Sequence, residues 1–147
     1  MASSPYDHSY WAGIFNPPKR FYIDTRFYLF RYITSDKEYQ FIKSNKIVFS
    51  KNEEGTYWTT LYTNDPKVAK CLLSLDRDPI YRVGGIPIYV IEANRSFIKR
   101  HGKVKPNNHE TIEECKRLGI RVGGAPEYLI TVPIFLVDIV RLPEPNP

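Results

Sequence analysis

Cysteine and histidine are scarce in this chain of 147 residues, and their spacing excludes the commonest metal-site patterns. The two cysteines, Cys71 and Cys115, lie far apart with no Cys or His beside them at ligand spacing. We therefore expect neither a zinc site nor a disulfide framework, and both cysteines are expected to be small residues of the core. The three histidines, His8, His101 and His109, lie in polar surroundings and form no metal or catalytic-triad pattern. They are expected at the surface, and no metal cofactor is implied.

Long apolar runs are also lacking. The first nine residues are mostly polar and the longest apolar runs are the size of a strand, so we expect no secretory signal and no contact with a membrane. The cytosol is therefore the expected compartment. The glycine pairs at Gly84 and Gly123 lack the Gly-x-Gly-x-x-Gly order, which disfavours a Rossmann-type dinucleotide fold.

The residues that are present favour one folded domain with a basic surface. An apolar content of 42% with 14% aromatic residues is typical of a folded chain, and the length suits a single core. The net charge of +5 favours a polyanionic partner. The densest basic segment is the candidate acceptor-binding surface, with a solvated loop or helix face as the alternative. It contains Arg95, Lys99, Arg100, Lys103 and Lys105.

Local patterns predict short strands between three short helices. The capping box Ser35-Asp36-Lys37-Glu38 predicts a helix to about Asn45, Asn64-Asp65-Pro66 begins a second, and residues 108–118 form a third that Gly119 ends. Aromatic and β-branched runs predict the strands. They cover residues 27–33, 47–50, 57–60, 80–83, 86–91, 122–132 and 135–140, with a bend or bulge at Gly84-Gly85.

These elements indicate an α+β domain with an antiparallel or mixed sheet. The proline-rich ends are expected to be extended, so we divide the chain into an N-terminal arm (residues 1–26), one domain (residues 27–142) and a C-terminal tail (residues 143–147).

Three strand-like segments carry polar groups that need an explanation. Arg31 interrupts the first strand, Tyr57-Trp58-Thr59-Thr60 forms the third, and Glu127 lies between the turn Gly123-Gly124-Ala125-Pro126 and the next apolar run. A charge at the mouth of a buried strand is costly unless it is paired or used, so Glu127 is predicted to face a cleft. The alternatives are a strand-capping Glu127 in water and an Arg31 in a structural ion pair, for example with Asp138.

In this order, the three segments resemble an ADP-ribosyltransferase, over roughly residues 28–142. The turn Arg121 to Tyr128 is similar to those before the catalytic Glu in small bacterial toxin domains of this family. The resemblance implies a split, mostly antiparallel β-sheet core with a few short helices and NAD as substrate. It also implies that Glu127 is catalytic and that Arg31 anchors the dinucleotide.

Chemistry supplies a reason for each residue type. Cleavage of the nicotinamide–ribose bond develops positive charge on the sugar, which an anion such as Glu127 stabilises. The guanidinium of Arg31 has a fixed fork of N–H donors that suits pyrophosphate or ribose oxygens, and the ring of Tyr57 offers a flat face on which nicotinamide could stack. Hydroxyl and aromatic side chains complete the candidate NAD site, although Tyr32 and Tyr128 also fit the core. The candidate NAD-binding set is Arg31, Tyr32, Ser50, Tyr57, Thr59 and Thr60.

The acceptor of ADP-ribose stays open at this point. Ala125 stands where arginine-modifying members of the family carry a second Glu, so a guanidinium acceptor is disfavoured. A nucleic acid or a protein is the expected acceptor. The alternatives are an NAD hydrolase or phosphorylase on the same fold, and a non-catalytic module that binds nucleic acid through basic and aromatic residues.

The resemblance further implies a toxin or effector that acts inside a cell. Delivery into a target cell as part of a larger effector, and neutralisation by an immunity or antitoxin protein, follow from the same resemblance.

Overall fold

The computed structural model describes residues 21–23, 28–48, 54–90 and 98–145. Within these ranges the chain forms three short helices, and its strands pair antiparallel in two sheets. The helices are α1 (Asp36–Asn45), α2 (Pro66–Leu72) and α3 (His109–Leu118). The strands are β1 (Phe21–Ile23), β2 (Leu29–Ile33), β3 (Ile47–Val48), β4 (Thr56–Trp58), β5 (Tyr81–Val90), β6 (Ile98–Lys103), β7 (Pro126–Ile130) and β8 (Ile134–Arg141). The predicted α+β class with mostly antiparallel pairing is confirmed.

Ser35 and Asp65 cap the first two helices as predicted, but the Glu38 side chain binds Arg31 and does not complete the predicted capping box. Ser35 Oγ accepts a hydrogen bond from the Glu38 N–H at 3.3 Å, Asp65 caps α2, and Asn108 caps α3. Gly119 ends α3 in the left-handed region at φ 73°, where a residue without a Cβ is favoured. Among the described residues, none of the helices has the length or the apolar character needed to cross a membrane.

The larger sheet has five strands in the described part of the chain, in the order β1-β5-β8-β3 with β2 also paired to β5. The segments predicted on either side of Gly84-Gly85 belong to one continuous strand, β5. Its register against β8 shifts between these two glycines, so the predicted bulge is confirmed. β1 lies within the segment predicted as an N-terminal arm and pairs with the end of β5.

The smaller sheet, with order β4-β7-β6 in the described residues, carries the late part of the chain. It meets the larger sheet where Phe30 and Thr59 exchange both backbone hydrogen bonds, at 2.7 and 2.9 Å. β6 coincides with the basic segment and was not predicted. Lys, Arg, His and Gly have low β propensity, and most of its side chains are exposed, so no alternation of apolar residues marks the strand.

Buried apolar side chains from both sheets form one main core. Its buried members are Leu29, Ile33, Ile42, Val48, Trp58, Tyr81, Val83, Ile130, Val132, Ile134 and Leu136. Trp58, only 2% exposed, comes from β4 of the smaller sheet, and Leu29, fully buried, comes from β2 of the larger one. The two sheets are therefore held together by shared burial as well as by the Phe30–Thr59 bridge.

The expectation that the chain contains no disulfide is wrong. Cys71 on α2 and Cys115 on α3 are bonded to each other across a sequence separation of 44 residues. Their spacing along the sequence gives no sign of this, because only the packing of the two helices brings the Cα atoms within 5.9 Å. Both cysteines are fully buried, as predicted.

Ion pairs next to the disulfide also join α2 to α3. Glu114 accepts hydrogen bonds from Lys70 at 3.1 Å and from Lys67 at 3.3 Å, and Lys67 also binds Asp78 at 3.1 Å. Burial by itself would raise the pKa of the Glu114 carboxyl, but the two lysines outweigh it and hold this pKa below its ordinary value.

Because the pKa of Glu114 is lowered by folding, its contribution to stability is complete above the unfolded-state pKa of 4.5. That contribution is lost as the pH falls through the lower folded-state value. We expect Glu114→Gln to lower the melting temperature at neutral pH by about 3 °C, the equivalent of about 1 kcal/mol for a partly exposed pair. The loss should shrink below pH 4.5.

Thermal melts between pH 7 and pH 3 measure this effect, with Glu113→Gln as the matched control. Glu113 is nearly half exposed and pairs with Lys116 only at 3.7 Å, so its removal should change the melting temperature little at any pH. Equal shifts for the two variants would show that the Glu114 network does not stabilise the helix pair.

Candidate functional site

The turn before Glu127 is held in place from two sides. The Gly123 N–H donates to Cys71 O at 2.8 Å and the Ala125 N–H donates to Leu72 O at 3.3 Å, which ties the turn to the end of α2. The Gly124 N–H donates to Val104 O at 2.8 Å, which ties it to the segment after β6. Gly123 has φ 75°, and a Cβ there would lie 2.8 Å from Val104 O, so the turn requires glycine.

Glu127 follows this turn as the second residue of β7, which runs between β4 and β6. Its Cα pairs with that of Gly102 on β6, and the next residue, Tyr128, pairs with Trp58 on β4. The side chain is half-buried, and its carboxylate makes no hydrogen bond or ion pair with the residues that the structure describes. Glu127 is among the residues that line two adjoining cavities, and its catalytic role stays a prediction.

Arg31 lies on β2. Its Nε donates to Glu38 Oε1 at 2.9 Å, and its Nη1 donates to the Tyr57 carbonyl at 3.0 Å. The ion-pair partner is thus the capping-box residue of α1, and not Asp138, which is exposed on β8. These two contacts orient the guanidinium, and its other N–H groups make no hydrogen bond with the residues that the structure describes.

The first cavity, of about 120 Å³, lies where the two sheets meet, and we call it the inter-sheet cavity. It brings together five residues of the predicted site, from three different segments of the chain. These are Arg31, Tyr32, Tyr57, Thr59 and Glu127. Apolar side chains supply the remaining walls, namely Phe30, Trp58, Leu73, Leu75 and Val104.

Two of the predicted residues support the cavity from the core. Burial raises the pKa of the Tyr32 hydroxyl, which donates to Leu61 O at 2.8 Å and accepts from the Thr63 N–H at 3.0 Å. Thr59, 3% exposed, accepts from the Leu61 N–H at 3.0 Å. Their polar groups hold the segment after β4.

The other members of the predicted NAD site differ in their positions. Tyr57 is 43% exposed and lies at the rim of the inter-sheet cavity, with its ring accessible. Thr60 is exposed and does not line either cavity, so the structure does not bring it to the site. Ser50 lies outside the described residues.

The second cavity is a groove of about 490 Å³ along β6, which we call the basic groove. It shares Tyr57, Leu73, Val104 and Glu127 with the inter-sheet cavity. Three cationic residues line the groove, namely Arg100, Lys103 and Lys105, and Glu127 is the one anionic residue among the described lining residues. Lys99 is exposed on β6 but does not line the groove, and Arg95 lies outside the described residues.

Several lining residues were not predicted. Trp58 lines the inter-sheet cavity and donates through Nε1 to Thr56 Oγ1 at 2.7 Å. Its place in the segment Tyr57-Trp58-Thr59-Thr60 was the available signal in the sequence. His101 was assigned to the surface, where it is exposed, but it also lines the basic groove. Its ring stacks on Tyr128 with centroids 4.3 Å apart. The register of β6 places His101 at the groove, and a run of basic residues in the sequence does not predict that register.

Among the described residues, no group of His, Cys, Asp and Glu side chains is arranged to hold a metal ion. No family model, curated protein or solved structure matches this chain.

Proposed function

We propose that this chain is an ADP-ribosyltransferase-like enzyme that cleaves NAD and transfers ADP-ribose to a macromolecular acceptor. The observation that carries the proposal is the inter-sheet cavity, which joins Arg31, Tyr57 and Glu127 although almost 100 residues separate the first from the last. A cleft that gathers one carboxylate, one arginine and an accessible ring suits a positively charged, aromatic leaving group on a phosphorylated sugar.

Glu127 would act on the ribose. As the bond between the nicotinamide nitrogen and ribose C1′ breaks, the electron pair leaves with nicotinamide and positive charge develops on the sugar. The carboxylate accepts a hydrogen bond from a ribose hydroxyl and stabilises that charge. Its lack of a partner among the described residues supports this role, because a carboxylate already held in an ion pair would have to break that pair first.

The size of the inter-sheet cavity supports the nicotinamide end of NAD as its occupant. An engineered apolar cavity of about 150 Å³ is known to hold one benzene ring. A cavity of about 120 Å³ that is open on one side therefore suits one aromatic ring and not a whole dinucleotide. The remainder of NAD would extend past the Arg31 fork, whose N–H groups suit pyrophosphate or ribose oxygens.

The two-sheet arrangement is also compatible with an ADP-ribosyltransferase-like split sheet, which we include in the proposal. The backbone bridge between Phe30 and Thr59 holds β2 beside β4 at the cavity. The catalytic strand β7 then lies next to β4, so the arginine and the carboxylate approach from different sheets.

Transfer would be completed by a nucleophile of the acceptor, which attacks ribose C1′ from the side opposite nicotinamide and then loses its proton. Attack by water would give hydrolysis instead. We further propose a toxin or effector role, with an immunity or antitoxin protein as its neutralising partner. The Cys71–Cys115 bond agrees with passage through an oxidising compartment before action inside a target cell.

Nicotinamide release from NAD, measured with and without a cell extract that supplies acceptors, tests this function. Release that rises with extract, together with label from ADP-ribose-labelled NAD in a macromolecular fraction, is the expected result for a transferase. Release that is independent of extract and leaves free ADP-ribose would identify a hydrolase. No release under either condition would remove the NAD chemistry altogether.

A further inference from the structure

We infer that the basic groove binds single-stranded nucleic acid, and that this strand is the acceptor of ADP-ribose. The binding is independent of the NAD chemistry, whereas the role of the strand as acceptor rests on the proposed function. The groove adjoins the inter-sheet cavity through Tyr57 and Glu127. A strand in the groove would therefore reach the same carboxylate that NAD reaches from the other side.

Charge points to a polyanion. Arg100, Lys103 and Lys105 are among the residues that line the groove, and Glu127 is the only opposing charge among the described lining residues. Arg100 and Lys103 are about 10 Å apart along β6 at the usual rise per residue, and the alternation of side chains puts them on opposite faces of this edge strand. They would therefore contact separate phosphates of a strand that passes along the edge of the sheet. A substituent at Gly102 would meet nothing within 4 Å, which leaves the space above the strand open.

One of the cations is already oriented for binding. Arg100 donates to the Tyr57 hydroxyl, and its guanidinium lies 5.8 Å from the centre of the Tyr57 ring. An exposed arginine ordinarily loses conformational entropy when it binds a phosphate. Here part of that entropy is lost in the free protein, so less remains to oppose binding.

The aromatic rings favour a nucleic acid over an acidic peptide. Tyr57 is 43% exposed, and His101 is exposed on the groove and backed by Tyr128. Ring faces of this kind stack on bases, while an acidic peptide would use only the cations. The strand must be single because a base inside a duplex cannot reach a carboxylate at the inner end of a groove.

Fluorescence anisotropy of a labelled 12-mer DNA and a labelled 12-mer RNA, without NAD, tests the binding across a range of salt concentrations. A groove variant loses three cations, and a matched control loses three exposed cations from helices α1 and α3. The groove variant is Arg100→Gln/Lys103→Gln/Lys105→Gln, and the control is Lys37→Gln/Lys116→Gln/Arg117→Gln. Circular dichroism establishes that each variant is folded, and Lys103→Gln/Lys105→Gln replaces the groove variant if it is not.

The slope of log K against log salt should be shallower by about 2 in the groove variant than in the wild type, at roughly 0.7 per phosphate contact. Between about 50 mM and about 200 mM salt, the wild type then loses roughly 20-fold more affinity than the variant. The control should keep the wild-type slope.

Three results would overturn the inference: no binding by the wild type, equal weakening by both triple variants, or tighter binding of a poly-glutamate peptide than of the oligonucleotides. Displacement of the oligonucleotide by NAD at its own binding concentration would also overturn it, because the groove would then hold the dinucleotide. Since no NAD is present in the main experiment, failure of binding and failure of NAD cleavage are separate outcomes.

Discussion

Replacement of Glu127 by Gln is expected to lower the rate of nicotinamide release from NAD by about 100-fold or more. Glutamine has nearly the same shape and can still accept a hydrogen bond from a ribose hydroxyl, but it carries no charge to stabilise the cationic sugar. Binding of NAD itself should change little, because the charge on the ribose develops only in the transition state. Nicotinamide production at saturating NAD measures the rate, and a titration of NAD measures the affinity.

Glu144→Gln is the matched control, because it makes the same chemical change at an exposed position near the C-terminus. It should release nicotinamide at the wild-type rate. A Glu127→Gln enzyme that keeps its activity would falsify the assignment of Glu127 as the catalytic group. A Glu127→Gln enzyme with unchanged rate but weak NAD affinity would place the carboxylate in substrate binding instead.

Removal of the Cys71–Cys115 bond is expected to lower the free energy of unfolding by about 4 kcal/mol, as the loop-closure entropy of a bond that spans 44 residues implies. This is a large part of the stability of about 5 to 15 kcal/mol that is usual for a domain. The melting temperature of Cys71→Ala/Cys115→Ala should fall by roughly 10 °C. Alanine is chosen because both positions are fully buried and a serine hydroxyl there would need a partner.

The effect should extend to the turn before Glu127, because Cys71 O and Leu72 O accept from the amides of Gly123 and Ala125. Hydrogen exchange of those two amides should be faster in the double variant than in the wild type. Reduction with dithiothreitol should reproduce both effects in the wild type and change nothing in the double variant, which has no disulfide to reduce. Two titratable thiols in the unreduced wild type after denaturation would show that the bond does not form.

Local chemistry explains which elements were predictable. The first turn of α1 depends on Ser35 and Glu38, which are neighbours in the chain, and the end of α3 depends on Gly119. Capping groups act within one helical turn, so residues that are close together in the sequence are enough to predict them. The bulge at Gly84-Gly85 is local in the same sense. β6 was missed because its pairing with β7 outweighs the poor β propensity of its basic residues.

The residues of the candidate site were largely predictable from the sequence, but the contacts between them were not. The sequence identified Arg31, Tyr57 and Glu127 from polar groups on apolar segments, and the structure places all three on one cavity. The sequence did not identify Glu38 as the partner of Arg31, because that contact forms only when α1 packs beside β2. The sequence also did not show that Thr59 lines the cavity whereas Thr60 does not.

The sequence by itself determined the α+β class, the three helices with their caps, and the glycine turn that leads into Glu127. Each of these depends on backbone preferences and hydrogen bonds between near neighbours. Only the tertiary structure decided the pairing of Cys71 with Cys115, the strand that carries the basic residues, and the two cavities that share Glu127. Those features depend on contacts between segments far apart in the chain, and such contacts form only when the buried faces of the helices and sheets pack together.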